Sequence, residues 1–171
     1  MHGRIVQINV SRGGVPKKPI ATATVGPLGI AGDEHAHPEF HGGPRKALLL
    51  IASEVIQTLK AEDWPLFNGA LGENLTTSGL DHKSWRSGMR FRVGEVEIEL
   101  TTPRHPCATL NPYGRGIQKR IFDELVKAGD PRSPHWGEAG FYACVHRGGH
   151  IRNGDIIESL TLIETGTWPS S

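Results

Sequence analysis

Apolar and polar residues alternate along Met89–Leu100, which has the sequence MRFRVGEVEIEL. In its first half methionine, phenylalanine and valine alternate with two arginines, and in its second half valine, isoleucine and leucine alternate with glutamates. Successive side chains of a strand point to opposite faces, so this pattern predicts two strands, each with one buried face. Gly94-Glu95 between them favours a type II′ turn. We therefore predict a β-hairpin whose arginines lie opposite glutamates on the solvent face.

Short apolar segments elsewhere in the chain are separated by turn residues. Glycine occurs 22 times and proline 12 times, dispersed between these segments. Such punctuation favours many short strands over a helical bundle. The predicted further strands are Gly3–Val10, Ile20–Val25, Arg45–Ile51, Phe141–Val145 and Asp155–Ile163, with Asn153-Gly154 as a turn before the last.

Two segments have a helical period instead. In Ile117–Ala128 two isoleucines and a leucine recur four residues apart, and Gly129 follows at the position where many helices end. A shorter helix is predicted after Ser53, which would act as its N-cap. These two helices are expected at the periphery of the β structure.

Roughly seven or more strands with two inserted helices predict a mainly β protein. We expect a closed or nearly closed, mostly antiparallel β-barrel, because closure removes exposed sheet edges. A length of 171 residues fits one ordinary domain. We assign residues 1–164 to that domain and 165–171 to a loose C-terminal tail.

Charge and composition exclude some classes of function. The net charge of +1, with 22% charged residues, argues against a nucleic-acid-binding surface. The apolar run Ala47–Ala52 is too short to span a membrane, and the N-terminus lacks the pattern of a secretion signal. Two cysteines are too few for a disulfide scaffold, so we expect a reducing, cytoplasmic location. Of these cysteines, Cys144 lies in an apolar strand and is interpreted as inert core.

The long segment Gly26–Pro44 carries glycines, prolines and histidines without an apolar period. Loops of this length inside compact domains are usually functional. Its three histidines, His35, His37 and His41, have two readings: they could ligate zinc, or they could hold the loop in shape by hydrogen bonds to its backbone. We favour the second, because no complete ligand set is visible. The surrounding glycines would let backbone N–H groups approach a phosphate.

Cys107 is the strongest candidate for a reactive group. It follows directly after the predicted hairpin, near the rim of a barrel, between Arg104 and His105 on one side and a hydroxyl-bearing segment on the other. Neighbouring positive charge favours a thiolate, which is a soft metal ligand. The alternative is a small buried hydrophobic residue. Pro103 and Pro106 favour the first interpretation, since they fix the chain where no strand can continue.

These motifs together resemble the MOSC domain, the module named after the C-terminal part of molybdenum cofactor sulfurase. Any one motif is weak, but their order is specific. The similarity extends over about residues 3–160 and is greatest to a stand-alone bacterial branch with the Pro-Arg-x-Pro-Cys form. The matching motifs are Gly32-Asp33, His41-Gly42-Gly43-Pro44, Gly72-Glu73-Asn74, Pro103-Arg104-x-Pro106-Cys107 and Gly140-x-Tyr142-Ala143.

The resemblance implies a fold, a cofactor and a set of site residues. The fold is a β-barrel related to the small barrel of pyruvate kinase, and the cofactor is the pterin-based molybdenum cofactor. Cys107 would be the thiolate ligand of the metal. Residues expected around the pterin and its phosphate are Gly32, Asp33, His41, Gly42, Gly43, Glu73, Asn74 and Arg104. Arg45 is added because arginine suits a phosphate, although relatives commonly have an acidic residue at that position. Without the resemblance, the local sequence would indicate only that Asn74 forms a turn.

The resemblance also implies reduction of N-hydroxylated small molecules, and for that reaction we name His35 and His105 as alternative candidates for the proton donor. The chain has neither a Rossmann fingerprint nor enough cysteines for an iron–sulfur cluster, so an external electron-donor protein is expected. One alternative is a carrier that holds a persulfide on Cys107 or hands over the cofactor without turnover. Another is a zinc hydrolase built on the histidine loop. A pyridoxal phosphate site would need Lys46 as its aldimine partner and is the least favoured.

Overall fold

A computed structural model of the protein describes residues 1–35 and 42–161. Within these ranges the chain forms short strands and three short α-helices. The strands are β1 (His2–Val10), β2 (Lys18–Ile20), β3 (Thr22–Gly26), β4 (Gly29–Ile30), β5 (Leu48–Ala52), β6 (Leu75–Ser78), β7 (Arg90–Val93), β8 (Val96–Pro103), β9 (Phe141–Arg147), β10 (Gly149–Arg152) and β11 (Ile156–Leu160). The helices are α1 (Ser53–Ala61), α2 (Ile117–Ile121) and α3 (Glu124–Lys127).

Seven of the strands close into a barrel. Their order is β11-β7-β8-β9-β5-β6-β1, and β1 pairs again with β11, where Gly3 lies opposite Ile157. The pair β5–β6 is parallel, and the other pairs of the ring are antiparallel. β2 extends the sheet beside β1, and a small sheet has the order β10-β3-β4. The prediction of a mainly β, closed, mostly antiparallel barrel is confirmed.

The predicted hairpin forms β7 and β8. Arg90 lies opposite Glu99 and Arg92 opposite Glu97, as the alternation required. The ion pairs of these residues join nitrogen and oxygen atoms 3.1 and 3.7 Å apart. Gly94 has a φ of 56°, the positive value that the first position of a type II′ turn demands. The apolar residues from Phe91 to Leu100 are fully buried in the barrel interior, and Met89 is partly buried against them.

Two apolar clusters stabilise the fold. The barrel cluster fills the interior with the inward side chains of the strands and with Trp85, Trp136 and Phe141, whose rings pack edge to face. The flank cluster lies between β5, α1 and α2 and includes Ile56 and Ile117. Together these clusters fix the ends of β5 and β8, and the candidate site lies beside those ends.

The predicted single helix over Ile117–Ala128 is wrong. Phe122 and Asp123 adopt extended backbone angles and divide the segment into α2 and α3. The Asp123 carboxylate accepts a hydrogen bond from the Val126 backbone N–H at 2.9 Å and so caps α3. Phe122 packs against both apolar clusters, which requires it to leave the helical path.

Smaller predictions also need correction. Ser53 is the first residue of α1, and its N-cap position is occupied by Ala52, without a side-chain hydrogen bond. The strand expected from Arg45 begins only at Leu48, since Pro44–Lys46 forms a 3₁₀ turn. The strand expected over Ile20–Val25 is divided between β2 and β3, and β10 was not predicted. The predicted tail 165–171 lies outside the described residues. Among the described helices, none has the length and apolar character needed to cross a bilayer.

Candidate functional site

A pocket on the outer side of the barrel collects residues from several distant segments. The loop after β8, the outer face of β5 and β9, and the start of β6 form its walls. Predicted site residues His35, Gly42, Asn74, Arg104 and Cys107 all line this pocket. The other lining residues are Gly14, Val15, Lys17, Glu34, Lys46, Leu49, Gly72, Thr109 and Tyr142.

Arg104 is the buried cation of the pocket. Its backbone N–H donates to Gly140 O at 2.8 Å, which fixes the chain where β8 ends, and the residue is only 5% exposed. Its Nε and Nη1 atoms are buried and find no hydrogen-bond partner among the residues that the structure describes. Burial lowers the pKa of this guanidinium, while nearby Tyr142 and Cys107 oppose the shift. A buried arginine nevertheless stays charged, so two of its N–H groups are available to an anion.

Cys107 is partly exposed at the pocket wall. It occupies the N-cap position of the 3₁₀ turn Ala108–Tyr113, with extended backbone, and its carbonyl accepts from the Leu110 N–H at 3.1 Å. Its Sγ lies 2.9 Å from Thr109 Oγ1. The sulfur atom is therefore accessible, held by a rigid turn, and close to the charge of Arg104.

A network of three side chains supports one wall of the pocket. The Asp33 carboxylate accepts from Lys17 Nζ at 2.5 Å and from Asn74 Nδ2 at 2.8 Å. Asn74 Oδ1 also accepts from the Leu49 backbone N–H at 3.1 Å. Lys17 is buried to 7% exposure, so this ion pair is shielded from water. Asn74 and Asp33 therefore position Lys17 and connect β5 to β6 at the edge of the site.

Glu73 is a fully buried carboxyl group beside this network. Its Oε1 accepts from the Gly69 N–H at 2.5 Å and from Thr76 Oγ1 at 3.0 Å, while Oε2 is without a partner within the described chain. Burial raises the pKa of this group, and the hydrogen bonds and the charge of Arg104 oppose the shift only in part. The buried acid lies close enough to Arg104 to couple with it electrostatically.

The two candidate proton donors are placed differently. His35 lines the pocket, and its pKa is lowered by burial and by the charge of Lys17, with Asp33 acting in the opposite direction. The ring of His105 stacks against Phe122, with centroids 4.5 Å apart, and borders a different surface depression. Of the two, only His35 is in position to serve the pocket.

Other predicted site residues do not line the pocket. Gly32, Gly43 and Arg45 are exposed and lie outside its walls. The Arg45 carbonyl accepts from Thr101 Oγ1 at 2.7 Å, so the backbone of this residue has a structural contact. His41, together with His37, falls on the segment outside the described residues.

Lys17 and Tyr142 were not predicted as site residues, although Tyr142 belongs to one of the matching motifs, and Lys46 was considered only for pyridoxal phosphate. Lys46 Nζ lies 5.3 Å from the centre of the Tyr142 ring, on which it stacks as a cation. Strict alternation along β9 would have placed Tyr142 on the outer face, opposite to the buried Phe141 and Ala143. No local pattern marks Lys17, which reaches the site only through its pairing with Asp33.

The assignment of Cys144 to the apolar core is wrong. Its side chain lies on the same outer face of β9 as Tyr142, is partly exposed, and has His146 Nε2 3.9 Å away. The apolar composition of the segment concealed the alternation of Phe141, Ala143 and Val145 toward the interior.

Comparison with other proteins relates this geometry to named relatives. The protein YflK of Bacillus subtilis is 31% identical over 155 residues, which cover 90% of this chain and 66% of that protein. A protein of Gibberella moniliformis named reductase is 32% identical over 137 residues, covering 77% of this chain and 22% of that protein. The chain thus spans less than two thirds of either relative.

Solved structures and a family model give the same assignment of fold. The crystal structure of YiiM from Geobacillus stearothermophilus superimposes with a TM-score of 0.69 over 93% of this chain and 75% of that one, at 24% identity, which shows a shared fold. The model of the MOSC domain matches residues 37–158, a range that includes Asn74, Arg104 and Cys107. The chain belongs to the MOSC domain family.

Proposed function

We propose that this protein binds the molybdenum cofactor and reduces N-hydroxylated small molecules, with Cys107 as the thiolate ligand of the metal. The observation that carries the proposal is the pair formed by Cys107 and Arg104 in one pocket. An accessible sulfur lies beside a buried guanidinium with two N–H groups that lack partners in the described chain. The name of the fungal relative, a reductase, supports the type of reaction.

The donor set of the pocket fits this cofactor. Thiolate sulfur is a soft ligand of the kind that molybdenum accepts. Arg104 offers N–H groups to a phosphate or to a pterin edge, and Lys17 and Lys46 add positive charge around the same space. A buried cation whose donors lack partners in the described chain, as those of Arg104 do, is costly unless an anionic ligand completes it. The residues therefore suit an anionic, metal-bearing cofactor better than a neutral ligand.

When bound, the cofactor would supply the two-electron chemistry that cleaves an N–O bond. The balanced reaction converts a hydroxylamine-type N–OH group, two electrons and two protons into N–H and water. The chain's own part is to hold Cys107 on a rigid turn, to place Arg104 and Lys17 where negative charge develops, and to limit access of water. The electrons come from a separate donor protein.

His35 is the proton-transferring group that the pocket geometry favours. Its lowered pKa leaves the imidazole neutral near pH 7, so it can exchange protons with a substrate and with solvent. The charges of Lys17 and Asp33 act on the pKa of His35 in opposite directions. His105 is assigned no part in proton transfer, because its ring stacks on Phe122.

The decisive experiment combines metal analysis with an activity assay. Wild type, Cys107→Ser and Arg104→Gln are expressed in a host that makes the cofactor, and molybdenum is measured in each. Reduction of an N-hydroxylated purine is followed with a chemically reduced dye as electron source. We expect stoichiometric molybdenum in wild type, and a loss of activity of at least about 100-fold in Cys107→Ser, more than loss of an outer-shell contact produces. Arg132→Gln, a substitution of an arginine with an 85% exposed side chain, is the matched control.

The alternatives give different results in the same experiment. Bound cofactor without reduction of any hydroxylamine substrate would replace the reductase with a carrier. Absence of molybdenum, with stoichiometric zinc that is lost in His35→Ala, would favour a hydrolase built on the histidine loop. Retention of molybdenum by Cys107→Ser would refute the proposed ligand.

A further inference from the structure

A second group of potential metal ligands lies on the outer wall of the barrel. Glu99 of β8 and Cys144 and His146 of β9 each direct one ligand atom into the same small space, within 4.8 Å of one another. His146 Nε2 lies 2.7 Å from a Glu99 carboxylate oxygen and 3.9 Å from Cys144 Sγ. Within the part of the chain that the structure describes, this is the one group of its kind.

Strand register explains why these side chains meet. Glu99 and Cys144 are direct partners across the β8–β9 pair, so their side chains share one face. His146 is two residues beyond Cys144 on the same strand. The register shifts between Val145 and Arg147, which makes His146 the extra residue of a β-bulge. Bulges redirect side chains, and this one turns the imidazole toward Glu99.

The three groups have complementary donor character. Thiolate, imidazole and carboxylate are the three protein ligand types of zinc sites. Arg90, whose Nε lies 3.1 Å from Glu99 Oε2, balances the negative charge of the carboxylate.

We propose that Cys144, His146 and Glu99 bind one divalent transition-metal ion of the zinc type, with water in the fourth position. A tetrahedral zinc ion would separate its sulfur and nitrogen ligands by about 3.6 Å and its nitrogen and oxygen ligands by about 3.3 Å, from ordinary bond lengths. The observed separations are 3.9 and 2.7 Å. Small side-chain rotations that move the ligand atoms by less than about 1 Å would bring both separations to the values expected around zinc.

The metal site is distinct from the pocket that holds Cys107. Tyr142 lines that pocket and precedes Cys144 by two residues on the same face, roughly 7 Å along the strand. Three protein ligands leave one coordination position open, as in zinc sites that bind water or a small anion. The two cysteines of the chain therefore have separate tasks, and Cys144 is not an alternative to Cys107 as the molybdenum ligand.

Cobalt titration tests this site without cofactor or activity. Full-length protein without an affinity tag is prepared metal-free and titrated with Co²⁺, and thiolate-to-cobalt charge-transfer absorption is recorded. We expect one equivalent to give this band in wild type and in Cys107→Ser, and Zn²⁺ to displace it. In Cys144→Ser the band disappears, and in His146→Ala the affinity falls at least about 10-fold. Circular dichroism of each variant reports whether the barrel has formed.

Two outcomes would overturn the proposal. A band that persists in folded Cys144→Ser would assign the thiolate to another residue. A folded Cys107→Ser protein without any band would show that Cys144 binds no metal. Because the titration uses cofactor-free protein, either result leaves the proposed molybdenum site untouched.

Discussion

At Arg104 a charged group is buried without enough hydrogen bonds within the described chain. Leaving a buried donor without a partner costs about 1–3 kcal/mol, more for a charged group. A residue kept in spite of this penalty is typical of a binding site, where the ligand supplies the missing partner. The same residue was identified from sequence because it stands beside Cys107 between two prolines.

Arg104→Met therefore separates stability from binding. We expect the free energy of unfolding without cofactor to stay within about 2 kcal/mol of wild type or to rise, since an apolar side chain replaces an incompletely paired cation. Molybdenum content falls sharply in the same variant. Urea unfolding and metal analysis measure the two effects. A loss of about 3–5 kcal/mol, as for a large core truncation, would instead make Arg104 a structural residue.

Glu73 makes the free energy of unfolding of the protein depend on pH. Its pKa is raised above the ordinary value of 4.5, so the folded state keeps a proton that the unfolded chain releases as pH rises through that value. The contribution of Glu73 to the free energy of unfolding then falls as pH increases above about 4.5, until the folded carboxyl also ionises. Glu73→Gln lacks this slope, and we expect its stability relative to wild type to increase from pH 4.5 toward neutrality.

Urea unfolding between pH 4 and 8 measures this difference. Glutamine keeps the oxygen that accepts from Gly69 and Thr76, so the hydrogen bonds of Oε1 remain. Glu124→Gln, which removes a carboxylate with an 88% exposed side chain, is the control without burial. A difference between Glu73→Gln and wild type that stays constant with pH would mean that Glu73 is ionised throughout.

Individual site residues were predictable where a reactive or charged side chain stands next to a proline in the sequence. Cys107 and Arg104 lie three residues apart and each directly follows a proline, so their proximity is local. Lys17 reaches the pocket through a partner sixteen residues away, and no short motif records such a pairing. The opposite orientations of His35 and His105 likewise depend on tertiary packing.

Among the elements, the break between α2 and α3 shows the limit of periodicity. The spacing of apolar residues in Ile117–Ala128 is helical, yet Phe122 ends α2 and Asp123 caps the start of α3. Its carboxylate accepts from the Val126 N–H and from the Ser133 hydroxyl, at 2.9 and 2.8 Å. Tertiary contacts of Phe122 with two clusters therefore override the local preference for a continuous helix. By contrast, the β7–β8 hairpin was predictable because alternation and turn chemistry agree.

Asp123→Ala tests the capping interaction. We expect a loss of about 1–2 kcal/mol in the free energy of unfolding, from the missing cap and the freed Ser133 hydroxyl. Hydrogen bonds lower the pKa of Asp123, so this contribution is present above its ordinary pKa and is lost as pH falls through the folded value. Denaturant unfolding at neutral and acidic pH measures the loss of stability and its dependence on pH. Equal destabilisation at both pH values would contradict the assignment.

At the scale of the whole molecule, the barrel and the flank cluster share one strand. Leu48 and Leu50 of β5 belong to the barrel cluster, while Ile51 and Ala52 belong to the flank cluster. Closure through β1–β11 joins the two ends of the described chain, so no strand of the ring can leave without opening the barrel. Composition and alternation predicted the closed ring, but the parallel β5–β6 pair was not predicted, because β6 was not recognised as a strand; α1 lies in the crossover that joins the two strands.

This arrangement predicts that barrel and flank unfold as one unit. Ile98→Ala in the barrel and Ile56→Ala in the flank each remove a buried side chain and should lower the free energy of unfolding by about 2–5 kcal/mol. If the clusters are coupled through β5 and Phe122, each substitution reduces the hydrogen-exchange protection of both β8 and α1 by similar amounts. Native-state hydrogen exchange followed by mass spectrometry resolves the two regions. Loss of protection confined to α1 in Ile56→Ala would show that the flank cluster opens independently of the barrel.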